Sequence, residues 1–294
     1  MESLTRGWGF LKQSWQMAMA DKDLIKPSIY ALIAGFIVTL ILVIPIGLIS
    51  FLLQNFKAGE FVIYILGAIL IFVQYMVGYV FSAMTVYLIY GYLAEGDGRM
   101  DKAWAIVKRD GWDIASLAAA STAVNLLKSL VRGKGRSGGR NFLAGLIETV
   151  WTEAAFLILP AMVIEDINLK DGIKRATQII KDNLLLVGIS TVGVKSITSL
   201  IGFLLGALGV GLGLGVGLGI VSLSQGAVLG LIGGVTLGIL VATPFIMLAT
   251  VVSTYTGTAY HTCLYLWARD VEQARLAGQS GDVKAPSPLS AVLP

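Results

Sequence analysis

Gly209-Val210-Gly211-Leu212-Gly213-Leu214-Gly215-Val216-Gly217-Leu218-Gly219 lies inside a stretch, between Lys195 and Arg269, that contains no Asp, Glu, Lys or Arg. A run so far beyond the ~20 apolar residues that cross a bilayer supplies at least two transmembrane passes. Ser222-Leu223-Ser224-Gln225-Gly226 is the polar break where the chain turns between them. As α-helix, 184–221 would measure ~57 Å and 227–268 ~63 Å, against a hydrocarbon layer of ~30 Å. Tilt absorbs only part of that excess, so the hairpin at 206–240 either folds back into the membrane or projects from it under a cover of protein. Glycine at 209, 213 and 217 makes one small-xxx-small row, and glycine at 211, 215 and 219 makes a second on another face. One row is expected to pack within the chain and the other against a second subunit, with 209/213/217 assigned to the subunit interface.

Composition agrees with that class. Hydrophobic residues are 56% of the 294 and charged residues 14%, which excludes an ordinary soluble domain. The net charge of +4 comes from Lys and Arg in short loops, where they orient the chain in a membrane; no nucleic-acid partner is expected. Met1 to Lys26 lacks the apolar core and small-residue site of a cleaved signal, so the first apolar run is expected to stay as an anchor. One cysteine, Cys263, and one histidine, His261, exclude an intrachain disulfide and supply too few soft ligands for zinc, so no metal or cofactor is expected.

Outward from the glycine array, the chain divides into three units. Residues 4–19 place Leu4, Trp8, Leu11, Trp15 and Met19 on one helical face, as in an interfacial helix. Met100, Ala103, Trp104 and Val107 share a face in the second charged connection, and Leu169, Ile173, Ala176 and Ile180 do so in the third. Ala103-x-x-Ile106-Val107-Lys108 matches Ala176-x-x-Ile179-Ile180-Lys181, a weak threefold repeat of surface helix followed by hairpin. The expectation is an all-α polytopic domain, 1–272, with spans at about 28–53, 61–94, 114–131, 142–164, 184–221 and 227–268. Residues 273–294, with three prolines and little apolar periodicity, read as a flexible tail.

The middle hairpin is the irregular one. Ile114 to Leu127 is short for a span, and Lys128 and Arg132 follow it. Six spans with both termini cytoplasmic put the basic loop of Arg132, Lys134, Arg136 and Arg140 outside, against the positive-inside rule that the other connections obey. A hairpin against the cytoplasmic face, or a basic loop lining an aqueous vestibule, would remove the conflict. The same four side chains are candidates for contact with anionic lipid.

Trp151, Phe156, Pro160 and Glu165, then Gly172-Ile-Lys-Arg175-Ala176 and Thr262-x-Leu264-Tyr265-x-Trp267-Ala268, resemble a family of uncharacterised prokaryotic six-helix membrane proteins known only as a domain of unknown function. The resemblance runs to about Ala268 and implies fold and residence in the cell membrane, with no activity to carry over. The glycine array and the basic loop are not features of that family. The array by itself is similar to the packed glycine helices of rotary ATP synthase rings, which implies close packing alone.

Three charges fall inside the apolar segments: Glu148, Glu153 and Lys195. Glu153 and Lys195 lie at similar distances from the ends of their helices, which allows them to pair; an isolated charge at depth costs at least ~2.5–3.5 kcal/mol, and a partner or water offsets that. The pair serves as interhelical glue or as part of an ion path. His261 and Cys263, two residues apart on a helix, point in different directions and have no orienting carboxylate nearby in sequence, which argues against catalysis. The function read from the sequence is a non-enzymatic, homo-oligomeric membrane assembly packed through its glycine hairpin. The alternative is a channel or transporter for a small ion or solute that uses Glu148, Glu153 and Lys195. An enzyme acting on lipid ranks third.

Overall fold

The computed structural model describes residues 2–53, 57–132, 138–182, 184–224, 227–278 and 283–292. They form an all-α, polytopic chain with six helices long and apolar enough to cross a membrane. Helix α1 (Glu2–Ala20) leads through a short 3-10 turn into α2 (Lys26–Leu53), which pairs with α3 (Lys57–Glu95). Short α4 (Met100–Arg109) precedes the hairpin of α5 (Gly111–Arg132) and α6 (Gly138–Glu165). Helix α7 (Leu169–Asp182) precedes the hairpin of α8 (Leu184–Leu223) and α9 (Val228–Leu276). Each hairpin therefore follows a short amphipathic helix, as the repeat predicts.

The packed core occupies one end. It draws together α1, the last turns of α3, α6 and α9, and the inner faces of α4 and α7, around fully buried Phe10, Leu88, Ile158, Tyr255, Tyr260 and Tyr265. Away from this body the helices separate into hairpins with apolar outer faces: Ile29 to Leu52 on α2, Leu200 to Leu223 on α8 and Val228 to Leu248 on α9 expose large hydrophobic side chains along their lengths. Those stretches match the hydrocarbon layer in length. The excess length of α3 and α9 thus lies at the body end, opposite the glycine array, where protein buries it.

Several sequence expectations change. Helix α1 buries Phe10, Leu11, Ser14, Met17 and Ala18, whereas Trp8 and Met19, read on one face with Leu11, are more than half exposed. The tight crossing explains the rotation: a Cβ on Gly7 would overlap the carbonyl of Gly193 in α8, so α1 must present glycine there and its neighbours follow. In α7 the buried residues are Ala176 and Ile179, and Ile173 is exposed. Residues 283–292, placed by composition in a free tail, return to the body. Leu289 is fully buried, Trp267 Nε1 donates to Val283 O at 3.2 Å, and Ser287 Oγ donates to Gln13 Oε1 at 3.0 Å. The α1–α2 and α3–α4 junctions are joined by Asp21, whose carboxylate accepts from the amides of Asp23 (2.9 Å) and Gly98 (2.7 Å).

The glycine rows are assigned the opposite way from expectation. Gly209, Gly213 and Gly217 face α9: a Cβ would come within 3.0 Å of Ala242 O at Gly209 and 2.8 Å of Gly234 O at Gly217, and would overlap Gly238 O at Gly213. Gly234 and Gly238 return the contact, at 2.6 Å to Gly217 O and 2.7 Å to Gly213 O. These five positions zip two backbones together, which only residues without a Cβ allow. Gly211, Gly215 and Gly219 have nothing within 4 Å. The 209/213/217 row is therefore intramolecular, and the other row is the open one.

Candidate functional site

A ladder of polar contacts along one face of α3 joins the first two hairpins, and Thr254 of α9 lines a cavity on the same face. Ser121 on α5 is fully buried and bridges two neighbours, Tyr79 OH at 2.7 Å and Trp151 Nε1, which donates at 2.9 Å. Further out, Asn125 Nδ2 donates to Tyr75 OH at 3.4 Å, and Gln74 Nε2 donates to Thr39 Oγ1 at 2.6 Å and to Gly35 O at 3.1 Å. Membrane helices favour such bonds because the alternative is a polar group facing hydrocarbon.

Three cavities follow this face and share lining residues. The innermost, about 20 Å³, lies between Tyr79, Ser82, Phe156 and Thr258. A second of about 300 Å³ reaches from Ser82 past Tyr79, Trp151 and Thr254 to Gln74. A third of about 470 Å³ opens between Thr39, Gln74, Tyr75 and Asn125. The hydroxyl of Thr258, a residue 3% exposed, has no hydrogen-bond partner among the described residues, and Thr258 lines the smallest of the three cavities, which has room for one water. The three cavities thus run from the buried core toward an opening in the membrane-facing part of the molecule, with mostly apolar walls and a few hydroxyl and amide groups among them.

The charged side chains lie elsewhere. Glu153 on α6 pairs with Lys195 on α8 through Oε1 and with His261 on α9 through Oε2, the latter at 3.2 Å. His261 Nδ1 donates to Gly257 O at 2.7 Å, and Phe156 stacks on the ring at 4.5 Å. Because that carbonyl only accepts, Nδ1 carries a proton, and Nε2 is the ring nitrogen that meets Glu153. Among the described residues α6 packs on α9 but not extensively on α8, and the ion pair adds a link from α6 to α8. Glu148 sits apart and pairs with Lys128 at 2.6 Å. None of Glu148, Glu153 and Lys195 lines the three cavities.

Of the basic loop, Arg132 and Arg140 close the ends of α5 and α6, while Lys134 and Arg136 lie outside the described residues. At the body, Arg175 on α7 joins Glu165 (3.2 Å) and Glu272, and Tyr265 OH donates to Glu165 at 2.5 Å. Partial burial opposes the Arg175 charge, but Glu272, the Tyr265 hydroxyl and Glu165 outweigh it and raise its pKa. This cluster clamps α6, α7 and α9. Cys263 is buried and free.

The Glu153–Lys195 pair was legible from helix depth, and His261 as its third member was not, because a residue more than a hundred positions away reveals itself only once α9 packs on α6. The Ser121 bridge and the Gln74–Thr39 bond gave no sequence signal beyond polar residues in apolar runs. No family model matches the chain, and no curated protein or solved structure is significantly similar to it.

Proposed function

We propose that this multi-pass membrane protein is a non-enzymatic channel or carrier for a small polar solute that occupies the cavity column along α3. The observation that carries the proposal is the run of cavities that share lining residues and set the side chains of Thr39, Gln74, Tyr75, Asn125, Ser82 and Thr258 as a few polar groups in largely apolar walls. Glu153, Lys195 and His261 act beside this path as the latch between α6 and the glycine hairpin. The body with its basic connections is assigned to the cytoplasm and the chain to the cell membrane, in line with the positive-inside rule and with the resemblance to prokaryotic six-helix membrane proteins. Proteoliposomes loaded with a panel of small neutral and charged solutes test the proposal. Flux above that of empty vesicles is expected, lost in Ser82→Leu without a change in melting temperature; flux equal to empty vesicles for every solute would overturn it.

Self-association is a second proposal, supported by the row Gly211, Gly215 and Gly219, which faces nothing among the described residues. It has less support than the sequence suggested, since the tighter glycine row and the excess helix length are both accounted for within one subunit. Native mass spectrometry in mild detergents decides it: oligomers that Gly211→Leu/Gly215→Leu dissociates support it, and a monomer throughout removes it.

A further inference from the structure

The three hairpins reach unequally far from the level shared by Tyr79, Ser121, Trp151 and Thr254. At ~1.5 Å per residue, α3 extends ~33 Å from Tyr79 to Lys57, and α9 extends ~39 Å from Thr254 to Val228. From the same level α5 extends only ~16 Å from Ser121 to Arg132, and α6 ~20 Å from Trp151 to Gly138. The exposed apolar faces of α2, α8 and α9 begin near this level; although α5 and α6 are each long enough over their full length to cross, beyond this level two hairpins reach the ~30 Å of a hydrocarbon layer and the middle one does not.

We propose that α5–α6 enters the membrane from the body's side without crossing it, and that its basic end, Arg132 and Arg140, binds the phosphate of an anionic phospholipid headgroup from that leaflet. The end is sheathed in exposed Leu126, Leu127, Leu130, Phe142 and Leu143, which fit acyl chains and not an aqueous polyanion. Glu148 pairs with Lys128, whereas Arg132 and Arg140 have no ion-pair partner among the described residues. A guanidinium in hydrocarbon needs a counter-charge or water, and a phosphodiester matches its fork of donors. Local thinning around a short hairpin brings headgroups toward it. The arrangement also keeps the basic end on the same side as the other Lys- and Arg-rich connections, which a crossing hairpin would not.

The test has two arms on the full chain. In a Cys263→Ala background, single cysteines at Leu52, Leu223 and Asn141 are treated with a membrane-impermeant maleimide from each side of sealed vesicles. Leu52→Cys and Leu223→Cys are expected to react from the side opposite the body and Asn141→Cys not to; reaction of Asn141→Cys from that opposite side as fast as Leu223→Cys overturns the proposal. In the second arm, protein in nanodiscs of mixed phosphatidylglycerol and phosphatidylcholine is extracted and its retained lipid weighed by native mass spectrometry. Preference for phosphatidylglycerol is expected to fall roughly tenfold in Arg132→Gln/Arg140→Gln and to persist in Arg132→Lys/Arg140→Lys, with no displacement by excess inorganic phosphate. Equal preference in wild type and the Gln variant, or displacement by phosphate, overturns the headgroup assignment. The Lys variant reports whether the protein still folds.

Discussion

The α8–α9 and α5–α6 hairpins are built from the same element, yet they are held by different physics. In α8–α9 the two backbones touch through Gly209, Gly213, Gly217, Gly234 and Gly238, and no side-chain hydrogen bond joins the helices between residues 200 and 250 among the described residues. In α5–α6 the helices carry Lys128 and Glu148 and are anchored to α3 through Ser121 and Asn125. Without a hydrophobic force between helices in lipid, close backbone packing can hold a hairpin that reaches across the layer, while a polar one is kept short and tied to its neighbours.

The contrast breaks most visibly in the zipper. Gly213→Leu/Gly217→Leu inserts two side chains where a carbonyl already sits, and overpacking at ~1–3 kcal/mol per site, or more, should abolish accumulation of the folded protein or lower its melting temperature sharply. A wild-type melting curve would mean that the two backbones do not touch. Next in size is Ser121→Val, which strands the Tyr79 hydroxyl and the Trp151 N–H in a buried site; at ~1–3 kcal/mol for each unsatisfied group, stability in detergent should fall without loss of α8–α9. An unchanged midpoint would remove the ladder as the anchor of the short hairpin.

A smaller effect is expected at the link between the regions. Lys195 is 47% exposed and Glu153 22%, so breaking their pair should cost ~1–3 kcal/mol, between the exposed and buried limits. Lys195→Met and Glu153→Gln are each expected to lower the midpoint, and the double variant to recover part of the loss; additive losses would show that the residues do not meet. The smallest effect has the opposite sign. Gly211→Ala/Gly215→Ala fills open space and gains up to ~1 kcal/mol of helix propensity per site, so the single subunit should melt slightly higher. A clear decrease would place that row in a buried contact.

Much of the architecture could be read from residue order, because charge-free runs and charged connections mark membrane helices directly. The repeat of amphipathic helix and hairpin was visible in Ala103 to Lys108 and Ala176 to Lys181. Which glycine row would pack inward was not, since both rows obey the same spacing and only the register of α9, with Gly234, Gly238 and Ala242 opposite, decides between them. The outward Trp8 agrees with the interfacial reading of α1, because a tryptophan at the headgroup level can face lipid; what the apolar spacing missed is the buried face of Phe10, Ser14 and Met17. The docking of Leu289 escaped notice because one buried side chain in a proline-rich segment leaves no periodicity.

The central claim is that the face of α3 carrying Gln74, Tyr75 and Tyr79 borders a hydrated space inside the membrane part of the molecule. Hydroxyl-radical footprinting in lipid nanodiscs measures this directly, because radicals form from water and modify side chains that water reaches. Relative to the unfolded chain, Tyr75, Tyr79 and Trp151 should be modified well above Phe203, which is 69% exposed but faces lipid on this account. Protection of Tyr75, Tyr79 and Trp151 equal to that of fully buried Tyr255 would contradict it.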